Sequence, residues 1–187
     1  PTETVYGIFA KALNQEAVDY IYELKRRPRD KALNLNVAGE EEIRLYSKNQ
    51  PGYLTKLVDS FLPGPLTIIL QANKKVPDWI HSGLDTVGFR IPAHPKTLEL
   101  IRKYGPLVGP SANLSGHASG IKYKAIVSEF DQVVPGIEDD DFLTGQDSTI
   151  LDISDSKARI LRQGSITKAD LLAHVSELSF EDDKLPQ

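Results

Sequence analysis

The chain has 187 residues, 40% hydrophobic and 26% charged, with a formal net charge of −4, a length and composition suited to one domain with a sizeable core. No apolar run approaches the roughly 20 residues that span a bilayer, so no membrane association is expected. The chain has no cysteine, which excludes disulfides, thiolate catalysis and Cys-based zinc sites and fits a reducing cytoplasm. Strand and helix patterns then alternate. Val5 to Ala10 reads as a buried strand and Gln15 to Leu24 as a helix with apolar residues at helical spacing, stopped by Pro28. Leu33 to Val37 alternates as a strand, while Glu40 to Ser47 and Tyr53 to Phe61 read as helices. Pro63-Gly64-Pro65 is a rigid turn into the strand Leu66 to Leu70.

Thr86 to Ile91 follows as a strand and His94 to Tyr104 as a helix with Pro95 in its first turn. Leu107-Val108 is a short strand opening into a turn of Ser, Asn and Gly, and Ile121 to Phe130 reads as a helix. Ser148 to Ile153 and Arg159 to Arg162 are strands joined by a polar turn, and Thr167 with Asp170 matches a capping box ahead of a last helix. The pattern predicts one α/β domain with a mixed, twisted sheet. Residues 1–176 are expected to form it, with 177–187 a frayed polar C-terminal tail. The acidic runs Glu138 to Asp141 and Glu181 to Asp183 read as solvated faces.

Two segments stand out chemically. Lys25-Arg26-Arg27-Pro28-Arg29-Asp30-Lys31 concentrates positive charge at a helix end, and Pro28 forces an extended turn able to aim Lys25, Arg27 and Lys31 at one anion. The competing reading is a solvated basic helix end complementing the macrodipole. Gly109-Pro110-Ser111-Ala112-Asn113-Leu114-Ser115-Gly116 offers hydroxyls, an amide and free backbone N–H groups in a tight turn. Its Ser111, Asn113 and Ser115 suit phosphate or sugar oxygens and equally suit capping of the turn itself. No Walker loop occurs, so cationic side chains would have to neutralise any triphosphate. Arg90 sits mid-strand between Phe89 and Ile91 and calls for a partner, either an anionic substrate or a structural carboxylate. Glu3 reads as a structural hydrogen-bond acceptor, and Trp79 and the tyrosines as core packing. The four histidines are scattered without H-x-x-x-H spacing, so no protein-built metal site is expected.

Seven segments occur together and in order: P-T-E-T-V-Y-G at 1–7, K-R-R-P-x-x-K at 25–31, P-G-P-L-T at 63–67, V-G-F-R-I-P-A-H-P at 87–95, P-S-A-N-L-S-G at 110–116, S-T-I-L-D at 148–152 and R-Q-G at 162–164. In this set the chain resembles the YrdC-like family of threonylcarbamoyl-AMP synthases. The resemblance implies an open, twisted α/β sheet with a large concave face of the YrdC-like, double-stranded-RNA-binding-like kind. Because that family places a strand and a helix ahead of P-T-E-T, the first sheet element is expected to be missing, and the chain resembles the short single-domain form. Ala32 departs from the family's usual proline.

The implied activity is an enzyme's: a nucleotidyltransferase making threonylcarbamoyl-adenylate from L-threonine, bicarbonate and ATP, releasing pyrophosphate, for threonylcarbamoyladenosine modification of tRNA beside the anticodon. By motif match, Lys25, Arg27, Ser111 and Asn113 would be the catalytic set. Lys31 and Arg162 would join them in holding ATP, and Thr2, Arg90 and Ser148 would frame the threonine. Mg²⁺ would be carried by ATP. The product would pass to a tRNA-modifying partner complex in the cytoplasm, and direct binding of tRNA or double-stranded RNA stays open. The alternatives are a non-catalytic RNA-binding module, against which the acidic net charge weighs, and a paralogue of the same fold with a different reaction.

Overall fold

The computed structural model describes residues 1–131 and 133–181. In chain order its elements are β1 (Ala10–Lys11), α1 (Gln15–Lys25), β2 (Leu35–Asn36), α2 (Glu40–Tyr46), β3 (Ser47–Lys48), α3 (Leu54–Phe61), β4 (Leu66–Ala72), α4 (Asp78–His81) and β5 (Thr86–Arg90). They continue with α5 (Pro95–Tyr104), β6 (Leu107–Val108), α6 (Tyr123–Glu129), a 3₁₀ turn at Asp140–Phe142, β7 (Thr149–Asp152), β8 (Arg159–Arg162) and α7 (Lys168–His174). The strands form one mixed sheet in the order β1-β6-β2-β5-β4-β7-β8, with β3 beside the end of β4. No described helix is long and apolar enough to cross a membrane.

β4 is the axis of this sheet. It pairs antiparallel with β5, placing Ile68 opposite Phe89, and parallel with β7, placing Ile68 opposite Leu151. Because side chains alternate along a strand, the central strands have two chemically distinct faces. Leu35, Leu66, Ile68, Phe89 and Leu151 are fully buried in the core, joined by Val18 and Ile21 of α1, Ile43 of α2 and Leu54 and Leu57 of α3. Truncating any of these to alanine would cost about 2–5 kcal/mol. Asn36, Thr67 and Arg90 come from the same strands and line a cavity instead. Gly88 keeps that face open: a Cβ there would lie 2.2 Å from Asn34 Oδ1 and 3.2 Å from Thr67 Cγ2.

Several local expectations are corrected. Val5 to Ala10 is not a continuous strand. Gly7 faces Ser111 and Ala10 faces Val108 in one antiparallel register. Ile8 N–H donates to Pro110 O at 2.9 Å, but Pro110 has no N–H to return, so the ladder breaks between them. Helix α1 ends before Pro28 acts. Arg26 adopts the left-handed conformation at φ 51°, its N–H donates to Glu23 O and that of Arg27 to Tyr22 O, which is a Schellman closure with arginine where glycine is usual. β3, the single turn α4 and the 3₁₀ turn were not foreseen.

The acidic stretch at 138–141 is tied down rather than solvated throughout. Tyr6 Oη donates to Asp140 Oδ1 at 2.8 Å and accepts from the Asp139 amide at 2.8 Å, and His94 Nε2 lies 3.0 Å from Asp139 Oδ2. The frayed tail is corrected as far as it is described. Leu178 is buried, Phe180 bridges Ala158 beside β8, and the Glu181 amide donates to Ala158 O. Residues 182–187, the rest of the expected tail and of the second acidic run, lie outside the described residues.

The capping box of α7 is formed as the sequence implies: Asp170 N donates to Thr167 Oγ1 at 3.1 Å and Thr167 N to Asp170 Oδ2 at 2.8 Å. Thr167→Ala is expected to lower unfolding free energy by about 1 kcal/mol in a urea titration, with no change in the slope of the transition; a loss near zero would show that α7 is held by Leu171 packing alone.

Candidate active site

The polar faces of β2, β4, β5 and β7 and the turn after β6 enclose a cavity of about 270 Å³. Of the nine residues singled out from sequence, six line it: Thr2, Arg27, Arg90, Ser111, Ser148 and Arg162. Lys25, Lys31 and Asn113 do not. Asn34, Asn36, Thr67 and Asp147 also line it and were not singled out. Thr67 closes the quoted P-G-P-L-T segment and Asp147 immediately precedes S-T-I-L-D, so their sequence signal is adjacency to motifs. Asn34 and Asn36 carry only their alternation with Leu35.

Each cation is held differently. Arg27, just beyond α1, donates through Nη2 to Ala32 O at 2.7 Å and Nε to Lys31 O at 3.2 Å. That spreads the Pro28 loop and aims one guanidinium into the cavity. Lys31 itself is exposed, and only its carbonyl takes part. Arg29 pairs with Asp19 and stacks on Tyr22 with its guanidinium carbon 4.6 Å from the ring centroid. The basic run therefore does not converge on one anion as Pro28 suggested. Arg162 donates to Ser148 O at 3.0 Å and Ser148 Oγ at 3.1 Å, and Ser148 Oγ lies 3.1 Å from Thr67 Oγ1. Among the described residues neither Arg27 nor Arg162 forms an ion pair with a carboxylate.

Arg90 meets the structural carboxylate that its burial called for. Its Nη2 lies 2.6 Å from Glu3 Oε1 and donates to Thr4 Oγ1 at 3.0 Å, while its buried Nε has no partner. Glu3 Oε2 accepts from the Ala93 amide at 2.8 Å. Thr2 Oγ1 donates to Val5 O at 2.7 Å and accepts from the amides of Thr4 and Val5, both at 3.3 Å, so Thr2 shapes the turn that presents Glu3. Asp147 is the one carboxylate among the lining residues. Its two oxygens accept from Ser119 Oγ at 3.1 and 3.2 Å.

Lys25 overturns the reading of an exposed helix-end lysine, since it is 1% exposed. Its ammonium donates to the carbonyls of Ser111 and Asn113, and its own carbonyl accepts the Ser115 amide at 2.9 Å. Asn113 is equally internal, with Nδ2 on Leu114 O at 2.8 Å and His117 O at 3.1 Å and a buried Oδ1 without a partner. Both residues build the turn, and Ser111 lines the cavity wall with Gly109 and Pro110. Burial, and then Arg27, lower the Lys25 pKa to about 8 against the opposing charge of Glu129. Among the described residues no group of three or more His, Cys, Asp or Glu is arranged to hold a metal ion.

Between about pH 8 and 10.5 the unfolded chain keeps a proton that folded Lys25 has released, so this group makes stability rise with pH across that window. Denaturant unfolding at pH 7.5 and 10 is expected to show this increment in the native protein and its loss in Lys25→Met; equal pH dependence in both would mean the ammonium is not desolvated. At Gly164 a Cβ would lie 2.4 Å from Asp147 O and 2.5 Å from Thr149 N. Gly164→Ala is therefore expected to destabilise the fold by on the order of 2 kcal/mol or more, read as a lowered melting temperature.

The comparisons with known proteins agree with this geometry. The Sua5/YciO/YrdC family model, described as telomere recombination, matches residues 1–164. The threonylcarbamoyl-AMP synthase of Bacillus subtilis is 38% identical over 184 residues, covering 97% of this chain and 53% of that protein. The threonylcarbamoyl-AMP synthase of Pyrococcus abyssi is 36% identical over 180 residues, covering 95% of this chain and 53% of that protein. The crystal structure of P. abyssi Sua5 complexed with L-threonine superposes with a TM-score of 0.89 at 36% identity, covering 97% of this chain and 54% of that one. The chain thus spans about half the length of these relatives. With the motifs in order, the mixed open sheet and a family match across most of its length, the chain belongs to the Sua5/YciO/YrdC family.

Proposed function

We propose that this protein makes threonylcarbamoyl-adenylate from L-threonine, bicarbonate and ATP, releasing pyrophosphate, and so supplies the activated group for threonylcarbamoyladenosine in tRNA. The observation that carries this reading is the charge pattern of the cavity: two guanidiniums, Arg27 and Arg162, that have no carboxylate partner among the described residues face a ring of hydroxyls and amides that also contains Asp147, a carboxylate with no cationic partner among them. A polyphosphate and a zwitterion together match that pattern. The likeness to two threonylcarbamoyl-AMP synthases and to a Sua5 crystallised with L-threonine supports it.

The chemistry asks for positioning and charge neutralisation. The threonine amine adds to CO₂ drawn from bicarbonate and loses a proton, giving a carbamate. A carbamate oxygen then attacks the α-phosphorus of ATP, and the bond to the β-phosphate oxygen breaks as pyrophosphate leaves. Arg27 and Arg162 would take phosphate oxygens through charge-assisted hydrogen bonds, with Ser111 and its neighbouring backbone beside them. Lys25 adds its positive field through the turn it supports. Arg90, Thr67 and Ser148 would frame the amino acid, with Asp147 beside its amine. Arg90 reaches a substrate carboxylate only with the donors that Glu3 and Thr4 leave free. Mg²⁺ would arrive as part of the nucleotide substrate, held mainly by phosphate oxygens.

The test is incubation of the protein with ATP, L-threonine and bicarbonate, followed by pyrophosphate release and mass detection of the adenylate. Product that forms without threonine, or none at all, overturns the assignment. Arg27→Ala is expected to cut turnover roughly 100-fold, corresponding to about 3 kcal/mol of transition-state stabilisation. Its melting temperature should shift little, because the side chain contributes one exposed and one part-buried hydrogen bond to the Pro28 loop. Native turnover in this variant would remove Arg27 from the site.

A further inference from the structure

The turn 110–116 is held from a second side by a residue outside every motif read from the sequence. Glu129 is the last residue of α6, and the buried Phe130 that follows it anchors the helix end in the core. Its Oε1 accepts the Leu114 amide at 3.3 Å and lies 2.7 Å from His117 Nδ1. Leu114 and His117 bracket the turn, and the carbonyls of both accept from Asn113 Nδ2. The Lys25 ammonium binds the carbonyls of Ser111 and Asn113 in the same turn. A cation from α1 and a carboxylate from α6 therefore grip one short loop from its carbonyl side and its amide side.

We propose that Glu129 is a positioning residue: it fixes the amide side of the 110–116 turn and stands as counter-charge to the buried Lys25 ammonium, so that Ser111 keeps its place on the cavity wall. This rests on the reading of that wall as the nucleotide side of the site. Charge balance gives the reason for an acid here. Of the charged groups around Lys25, Arg27 disfavours its protonated form and Glu129 favours it. The other titratable group on this carboxylate is His117, which is 62% exposed. A carboxylate near a buried ammonium favours its protonated form, and Glu129 brings one from the helix end that also holds the turn.

Glu129→Gln keeps an oxygen for the Leu114 amide and removes the charge, whereas Glu129→Asp keeps the charge on a shorter stem. Two readouts separate positioning from bulk stability. The first is the titration of Lys25 itself, followed by NMR at its Cε and Nζ in the ligand-free protein. The second is steady-state kinetics for each substrate. In Glu129→Gln the Lys25 midpoint is expected to move to lower pH, and the alkaline limb of the rate profile should move with it. The KM for ATP should rise about tenfold while that for threonine holds, because the turn carrying Ser111 loses the charge on its anchoring acceptor. Glu129→Asp should restore much of the Lys25 midpoint. Coincident Lys25 midpoints in the native and Gln proteins, or an unchanged KM for ATP, would overturn the proposal. If the native protein makes no adenylate, nucleotide binding by calorimetry replaces the kinetics. A Gln-dependent loss of ATP affinity together with the Lys25 shift would then support the role of Glu129 while the proposed reaction fails.

Discussion

A lysine ammonium taken out of water must find oxygens, because an uncompensated buried charge costs several kcal/mol. Lys25 ends α1 with its side chain 1% exposed, and the oxygens it finds are the carbonyls of Ser111 and Asn113, some 86 residues away along the chain. Much of the cavity wall depends on this interaction. It draws the turn after β6 against the end of α1 and closes the contact with the Ser115 amide on the Lys25 carbonyl. It also leaves Arg27, two residues on, as the member of the basic run that lines the cavity. The left-handed Arg26 makes this possible, since it turns the chain out of the helix directly after Lys25.

The cavity and the hydrophobic core are two sides of one alternation. In β4 and β5, Ile68 and Phe89 face the core while Thr67 and Arg90 face the cavity, so the sheet supplies the polar floor and the loops carrying Arg27, Ser111 and Asp147 supply the walls. The cations among its lining residues are the guanidiniums of Arg27, Arg90 and Arg162. Behind the wall, burial lowers the Lys25 ammonium to about 8.

The segment from Glu138 to Ser148 closes the remaining side, and it is fastened at several points. Tyr6 lines the cavity and joins its phenol to Asp139 and Asp140, and burial holds that phenol up at about 12, so it stays a neutral donor. The amides of Thr144 and Gly145 donate to Glu3 O at 3.0 Å and Thr4 O at 2.8 Å. The opening P-T-E-T stretch is thereby clamped between this segment and Arg90, and Asp147 and Ser148 arrive at the rim in fixed positions. Within that acidic run Asp139 and Asp140 serve as internal fastenings, while Glu138 and Asp141 stay exposed.

The sequence by itself determined the alternation of strands and helices, the extents of α2, α3 and α5, the capping box of α7, and six of the lining residues. The elements rest on local physics, since side-chain period, caps and turn chemistry act over a few residues and can be read where they stand, whereas lining residues such as Thr2 and Ser148 were marked only by the resemblance of their motifs to the family's. It also left Arg90 needing a partner and Glu3 as an acceptor, without joining them. Only the tertiary structure decided that Glu3 meets Arg90, that Lys25 and Asn113 build the turn from inside, and that Asp139 and Asp140 bind Tyr6 and His94. Each of those outcomes depends on which distant backbone or carboxylate oxygen lies within about 3 Å of a buried donor, and that distance is set by packing across the sheet rather than by the residues on either side in the chain.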